Sequence, residues 1–285
     1  MAKTTIAIMY DFDKTLSTSD MQNFGFINKL GMTPNEFWVE TSKLTEENHM
    51  DKILSYMFMM VKKSKEKNIP LTYEFLNECG KDVIFHNGVL TWFERINEYA
   101  KSLGANVEHY IISSGTTEII MGTPIAKYFK RIYGCNFLYD ENGIAIWPSL
   151  SINYTQKTQY IFRIAKGALD VTDDDSVNMH MEEKAIPFEN MIYIGDGLTD
   201  IPCMKIVKDA GGKSIALYPQ GSEEKVKNLV KDKRINFVCA ADYQKDSSLE
   251  KFVKAMIQSR CIQNGLKDIE ESQLQSYLKR NLGVK

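Results

Sequence analysis

Cysteine, histidine and net charge are all scarce in this sequence. The five cysteines (Cys79, Cys135, Cys203, Cys239 and Cys261) are scattered, odd in number and form no C-x-x-C pair. That argues against a disulfide frame or a cysteine zinc site, and for reduced, mostly buried thiols in a cytosolic protein. The histidines His49, His86, His109 and His180 show no metal-binding spacing, and none is assigned a part in catalysis. A net charge of −2 over 285 residues supplies neither a basic field for nucleic acid nor a strong acidic bias. Long apolar runs are missing as well, since nothing approaches the roughly 18 to 20 residues needed to span a bilayer. The N-terminal apolar run, Thr5 to Tyr10, is too short for a signal peptide. The expectation is a cytoplasmic protein with no nucleic-acid and no membrane partner. There is no internal repeat and no low-complexity tract.

What is present is an ordinary globular composition, with aromatic residues at 11%, too many for a disordered chain. The length allows a large core and a smaller second lobe. Thr5-Ile6-Ala7-Ile8-Met9-Tyr10 is short and bounded by charge, as suits a strand buried on both faces of a parallel sheet. Val107 to Ile112, Met191 to Ile194 and Ser214 to Tyr218 have the same character, with Asn236 to Ala240 a weaker fifth. Helical spacing separates them at Val89 to Leu103, Glu118 to Tyr133, Gln156 to Leu169 and Glu223 to Lys231. Strands alternating with helices imply βαβ units, right-handed crossovers and a doubly wound, Rossmann-like parallel α/β sheet.

The stretch from Leu16 to Phe85 breaks that alternation. Its apolar spacing is helical (Phe24, Ile27, Leu30; then Ile53, Leu54, Met57, Phe58, Val61) and it contains no convincing strand. The expected organisation is an α/β core of residues 1–15 and 86–243, an inserted helical lobe of residues 16–85, and a C-terminal helical extension of residues 244–285 packed on the core. Phe137 to Tyr139 and Ile144 to Trp147 flank Asp140-Glu141-Asn142-Gly143, the pattern of a β-hairpin. Asp170 to Glu183 is acidic and polar and suits a solvated loop or helix edge. Past Gln244 two helical stretches are expected.

Four short segments carry chemistry. At the end of the first strand, Asp11 and Asp13 lie one residue apart in Asp11-Phe12-Asp13-Lys14-Thr15. One carboxylate of such a pair can attack phosphorus and form an aspartyl-phosphate. The other can protonate the leaving oxygen and then deprotonate the water that cleaves the intermediate. On its own, D-x-D-x-T is more often a polar turn with a helix cap. A later strand runs straight into Gly195-Asp196-Gly197-Leu198-Thr199-Asp200, where glycines permit a tight turn and leave Asp196 at the strand end. Such carboxylates suit Mg²⁺, with Asp200 binding the ion directly or orienting its water. Tyr110-Ile111-Ile112 leads into Ser113-Ser114-Gly115, whose hydroxyls and N–H groups can hold phosphate oxygens. Lys157, opening a helical run, can keep Asp11 ionised and offset phosphoryl charge.

In this order (nucleophile, hydroxyl, lysine, metal aspartate) the four segments resemble the motif series of the haloacid-dehalogenase-like (HAD) hydrolase superfamily. Asp11 and Asp13 match its first motif, Ser113 the second, Lys157 the third, and Asp196 with Asp200 the fourth. The likeness covers about residues 3–15 and 85–243. It implies that Asp11 is nucleophile and Mg²⁺ ligand, and that Asp13 is the acid/base and lends its main-chain carbonyl to the metal. It further implies that Thr15 supports the nucleophile loop. A second aspartate at Asp13 is typical of the superfamily's phosphatases and mutases, which must protonate an oxygen leaving group. A helical insertion directly after the first motif implies a cap that closes over small substrates.

The layout resembles the phosphoserine-phosphatase-like branch, and the substrate expected is a small-molecule phosphate ester. That branch carries Glu nine residues after the nucleophile and an Arg in the cap. Here the ninth position is Asp20, and the first arginine is Arg95, outside the cap. Lys52 or Lys62 can supply charge there but not a bidentate fork. Asp20 is therefore taken as a specificity residue, one reading being that it faces a cationic headgroup. Met57, Met59 and Met60 beside Tyr56 and Phe58 are read as cap packing. Trp38 and Trp92 are read as packing too, and Lys62, Lys63, Lys65 and Lys67 as a solvated helix end. The alternatives are a phosphotransferase or phosphomutase of the same superfamily, or a non-catalytic Mg²⁺-binding regulatory module. The last has no need of Asp13.

Overall fold

The computed structural model describes residues 4–180 and 184–282. Its centre is β1 (Thr5–Tyr10), fully buried from Ile6 onward. After β1 come four helices, α1 (Phe26–Lys29), α2 (Pro34–Asn48), α3 (Lys52–Glu66) and α4 (Tyr73–Cys79), and then α5 (Val89–Ser102). The chain continues through β2 (Asn106–Thr116), α6 (Thr117–Met121), β3 (Phe129–Tyr139), β4 (Ala145–Leu150), α7 (Gln156–Lys166) and α8 (Asp174–Asn178). It closes with β5 (Met191–Gly195), α9 (Ile201–Asp209), β6 (Lys213–Tyr218), α10 (Lys227–Lys231), β7 (Phe237–Ala240) and α11 (Ser248–Leu282).

The seven strands form one sheet in the order β4-β3-β2-β1-β5-β6-β7, parallel except for the β3–β4 hairpin. β1 pairs with β2 on one side and β5 on the other, so the strand order reverses at its carboxyl end. Ligands of doubly wound sheets gather at such a switch point. Ile6, Ile8, Ile111, Ile192 and Ile194 are among the fully buried aliphatic side chains of the three central strands, each worth about 1.5–3 kcal/mol of burial. The expected α/β sheet and its helical insertion are both present.

Two helical expectations are corrected. The run Glu118 to Tyr133 is not one helix: α6 stops at Met121, a 3-10 turn spans Ala126–Tyr128, and Phe129 enters β3. Pro124 disfavours helix in the residue before it. Phe129, Arg131, Ile132 and Tyr133 then find parallel partners on β2, and backbone pairing decides against the helical spacing. The two stretches expected past Gln244 are the single helix α11. No proline interrupts it, and Gly265 lies on open surface, where it weakens a helix without ending it. Within Asp170 to Glu183, α8 forms behind an Asp173 cap, while residues 181–183 lie outside the described residues.

The insertion is helical because its caps are. Thr33 and Glu36 form a reciprocal capping box at α2, and Asp51 Oδ1 accepts from Ile53 N and Leu54 N at α3. Hydrogen bonds tie it to the strands and to the loop after β4. Tyr56 OH donates to Ser114 O (2.7 Å), Ala145 N donates to Leu71 O (2.8 Å), and Asn153 Nδ2 donates to Asp51 Oδ2. The N-terminal end of α3 is thereby held over the carboxyl edge of the sheet.

Candidate active site

Asp11 directly follows β1, and its N–H donates to Ile194 O (2.9 Å), continuing the pairing with β5. The chain then turns sharply, with Lys14 in the left-handed region (φ 61°) and Leu16 N donating back to Phe12 O (2.9 Å). Tyr243 OH donates to Thr15 O (2.9 Å) and fixes the turn from β7's side. Thr15 Oγ1 reaches Asp196 Oδ1 (3.3 Å), joining the first and last motifs. The half-buried Asp13 accepts from Met21 N at Oδ1 (2.7 Å). Gly115 lets it sit there, because a Cβ at that position would lie 3.0 Å from Asp13 Oδ2 and 2.0 Å from Met21 Cε.

The end of β5 brings the remaining carboxylates. Asp200 is fully buried, and Gly195 makes room for it, since a Cβ there would stand 2.6 Å from its carboxylate. Lys157, 1% exposed, bridges the two strand ends: its Nζ is 2.7 Å from Asp11 Oδ1 and 2.8 Å from Asp200 Oδ1. Asp200 also accepts from Tyr193 OH at Oδ1 (2.8 Å) and from Gly197 N at Oδ2 (3.2 Å). On β2, Ser113 is buried and its Oγ accepts from Gly115 N (3.0 Å), whereas Ser114 lines the cavity. The buried Ser114 Oγ has no hydrogen-bond partner among the described residues.

The charges do not balance. Burial, then the neighbouring Asp200, push Asp11 up to about 6, against the pull of Lys157. Burial, with Asp11 and Asp200, pushes Asp196 up to about 8. Asp13 is raised well above the carboxylate range by burial and by Asp20 and Asp11. Burial opposes the Lys157 ammonium, but Asp11 and Asp200 outweigh it and hold the lysine charged. One carboxylate oxygen from each of Asp11, Asp196 and Asp200 can be chosen so that all three lie within 4.8 Å of one another. An oxygen-only set with surplus negative charge fits a hard divalent cation such as Mg²⁺.

A cavity of 330 Å³ opens onto this cluster, lined by Asp11, Asp13, Ser114, Lys157 and Asp196 from outside the insertion. The insertion adds Asp20, Gln22, Trp38, Lys52, Ile53 and Tyr56. Asp20 is engaged by Lys14 (2.8 Å), so its charge is already shared within the chain. Trp38 and Tyr56, read from sequence as packing residues, form an edge-to-face wall 6.1 Å between centroids. Met57, Met59 and Met60 are buried packing, as expected. Lys52 reaches the cavity, while Lys62 faces Glu66 instead. Tyr193 escaped the sequence reading. Its only signal was a hydroxyl inside a strand buried on both faces.

The profile of the haloacid dehalogenase-like hydrolases matches residues 8–205, a span from β1 into α9 that contains all four segments carrying the site. The chain belongs to that family. An uncharacterized protein of Borreliella burgdorferi is 26% identical over 281 residues, covering 88% of this chain and 96% of its own length. Among solved structures, a HAD-family hydrolase from Salmonella enterica serovar Typhi shares the fold with a TM-score of 0.56 at 19% identity. That match covers 84% of this chain and 68% of that one. A phosphoserine phosphatase, solved as a phospho-aspartyl intermediate analogue, aligns with a TM-score of 0.52 at 16% identity, over 89% of this chain and 99% of its own. Within this HAD hydrolase, every residue expected at the site except Ser113, Gly115 and Asp200 lines the cavity, and Asp200 touches Lys157 directly behind it.

Proposed function

We propose that this HAD hydrolase is a Mg²⁺-dependent phosphatase of small-molecule phosphate monoesters that works through an aspartyl-phosphate on Asp11. The observation that carries the reading is Asp13. It stands on the cavity wall two residues from Asp11, in surroundings that favour its protonated form. A carboxyl that holds a proton next to a nucleophile is a general acid for an oxygen leaving group.

Asp11, pinned through Oδ1 by Lys157, attacks phosphorus, and the bond from phosphorus to the ester oxygen breaks. Asp13 gives its proton to that oxygen and the alcohol departs. The Asp13 carboxylate then takes a proton from water, whose oxygen attacks phosphorus. The bond to Asp11 breaks and inorganic phosphate leaves. Lys157 and the Ser114 hydroxyl are placed to receive phosphoryl oxygens. Asp11, Asp196 and the Asp13 carbonyl would hold Mg²⁺, with Asp200 beside them. The bound ion supplies positive charge against the carboxylates and the phosphoryl group.

In this reading residues 1–15 and 86–243 are the catalytic core, residues 16–85 a cap that shields the cavity from water, and residues 244–285 a helical extension of the core. The non-phosphate part of the ester packs between Trp38, Tyr56 and Ile53, with Lys52 at the rim. The pairing of Asp20 with Lys14 favours a specificity role exerted through that pair over direct contact with a cationic headgroup. No helix of the described residues is long and apolar enough to cross a membrane.

The test is release of free phosphate from an aryl phosphate with Mg²⁺, repeated with chelator and with Asp11→Asn. Both changes are expected to lower turnover by roughly a thousandfold or more. Undiminished turnover in Asp11→Asn rejects the mechanism. Phosphate appearing on an added alcohol rather than free in solution would make the enzyme a phosphotransferase.

A further inference from the structure

We infer that Tyr193 is a positioning residue for Lys157, acting through Asp200. The inference rests on the phosphatase reading and adds a residue to it. Tyr193 sits in the middle of β5, paired with Met9 on β1 and Ser214 on β6, and is fully buried. Packing there needs only an apolar side chain, as Met191, Ile192 and Ile194 show on the same strand. A buried phenol must find a hydrogen-bond partner, and this one finds Asp200 Oδ1 at 2.8 Å.

That same oxygen receives Lys157 Nζ at 2.8 Å, and the ammonium's other contact is Asp11 Oδ1 at 2.7 Å. Tyr193, Asp200, Lys157 and Asp11 thus form one buried line running from the sheet interior to the nucleophile. A lysine is a point charge on a flexible stem, so its direction is set by its acceptors. Asp200 can aim it only while its own carboxylate is held. Gly197 N holds Oδ2 at 3.2 Å, a long contact, which leaves the phenol as the firm restraint. Without the hydroxyl, Lys157 is the one donor to Asp200 Oδ1 among the described residues, and the ammonium is drawn away from Asp11.

Partners that orient a metal site's carboxylates typically change activity or metal affinity by about 10- to 100-fold when removed. Tyr193→Phe is therefore expected to lower kcat by about 10-fold with KM within roughly 2-fold, and to weaken Mg²⁺ binding in calorimetric titration by about 10-fold. Tyr193→Met, which lacks the hydroxyl in a different shape, should show the same losses. In an Asp200→Ala background Tyr193→Phe should add less than roughly 2-fold, because the acceptor is gone. A purely structural role predicts instead that the losses add. Unchanged kcat and Mg²⁺ affinity in either single variant, or the full loss persisting in the Asp200→Ala background, would overturn the inference. If the wild type turns over no phosphate ester, the phosphatase reading fails, and the Mg²⁺ titration of the Tyr193 variants still decides this one.

Discussion

Two consecutive residues of β1's end, Tyr10 and Asp11, sit at the hearts of two buried polar clusters of opposite kind. Around Tyr10 everything closes. Trp92 Nε1 donates to its hydroxyl (2.8 Å), the hydroxyl meets His109 Nδ1 (3.1 Å), and His109 Nε2 meets Asn97 Oδ1 (3.0 Å). The groups are neutral, and the donors and acceptors match. Around Asp11 they do not match: Asp13, Asp196 and Asp200 join it, and Lys157 is the cation buried among them. A satisfied neutral network specifies a core. A cluster whose charge is left unbalanced, at a cavity and a switch point, is one that protons or a cation can complete. Burial alone separates neither case. The charge balance does.

The contrast is broken most severely at Lys157. Lys157→Met leaves Asp11 and Asp200 buried without their cation, which is expected to destabilise the chelated protein by about 3–5 kcal/mol. Turnover should vanish with it. Denaturant unfolding with and without Mg²⁺ checks this, and Mg²⁺ should restore more stability to the variant than it adds to the wild type. On the other side, Tyr10→Phe orphans the Trp92 N–H and is expected to lose about 1–3 kcal/mol of stability. Its turnover should stay within roughly 2-fold of wild type at a temperature where both are folded. A large loss of turnover at unchanged stability would merge the two clusters that the structure separates.

Most of the sheet and the site's ingredients were legible in the sequence because the functional groups other than Lys157 stand at or just past the ends of continuous apolar runs. β1, β2 and β5 are such runs, carrying Asp11, Ser113-Ser114 and Asp196 at or just past their ends, while Lys157 opens the helix α7 after β4. The hairpin was legible from its acidic turn, where Asp140 Oδ1 takes the N–H groups of Asn142 and Ile144. β3 was hidden because its first half gains its partners only once β2 lies beside it, and nothing local distinguishes Phe129 to Tyr133 from a helix. The roles of Trp38 and Tyr56 were hidden for a related reason. Their aromatic spacing says that they are buried, not that a cavity lies against one of their faces. Lys14 and Asp20 show the limit at the site itself, since their pairing depends on the left-handed conformation of Lys14.

The smallest expected effect isolates the neutral cluster by pH. Burial pushes His109 down to about 3, against an ordinary value near 6.5. The unfolded chain therefore takes up this proton first as acid is added. The stability linked to neutral His109 is fully present above pH 6.5 and drains away as pH falls from there toward 3. By pH 5.5 the loss is about 1.4 kcal/mol for this one group. The site's carboxylates titrate in the same range, so wild type and His109→Gln are compared under saturating Mg²⁺, and the difference between their unfolding free energies is followed from pH 7.5 to 5.5. The wild type should lose about 1.4 kcal/mol more than the variant over that span. Parallel profiles would mean that His109 titrates alike in the folded and unfolded chain, and that the Tyr10 cluster admits its charge instead of excluding it as a closed neutral network does.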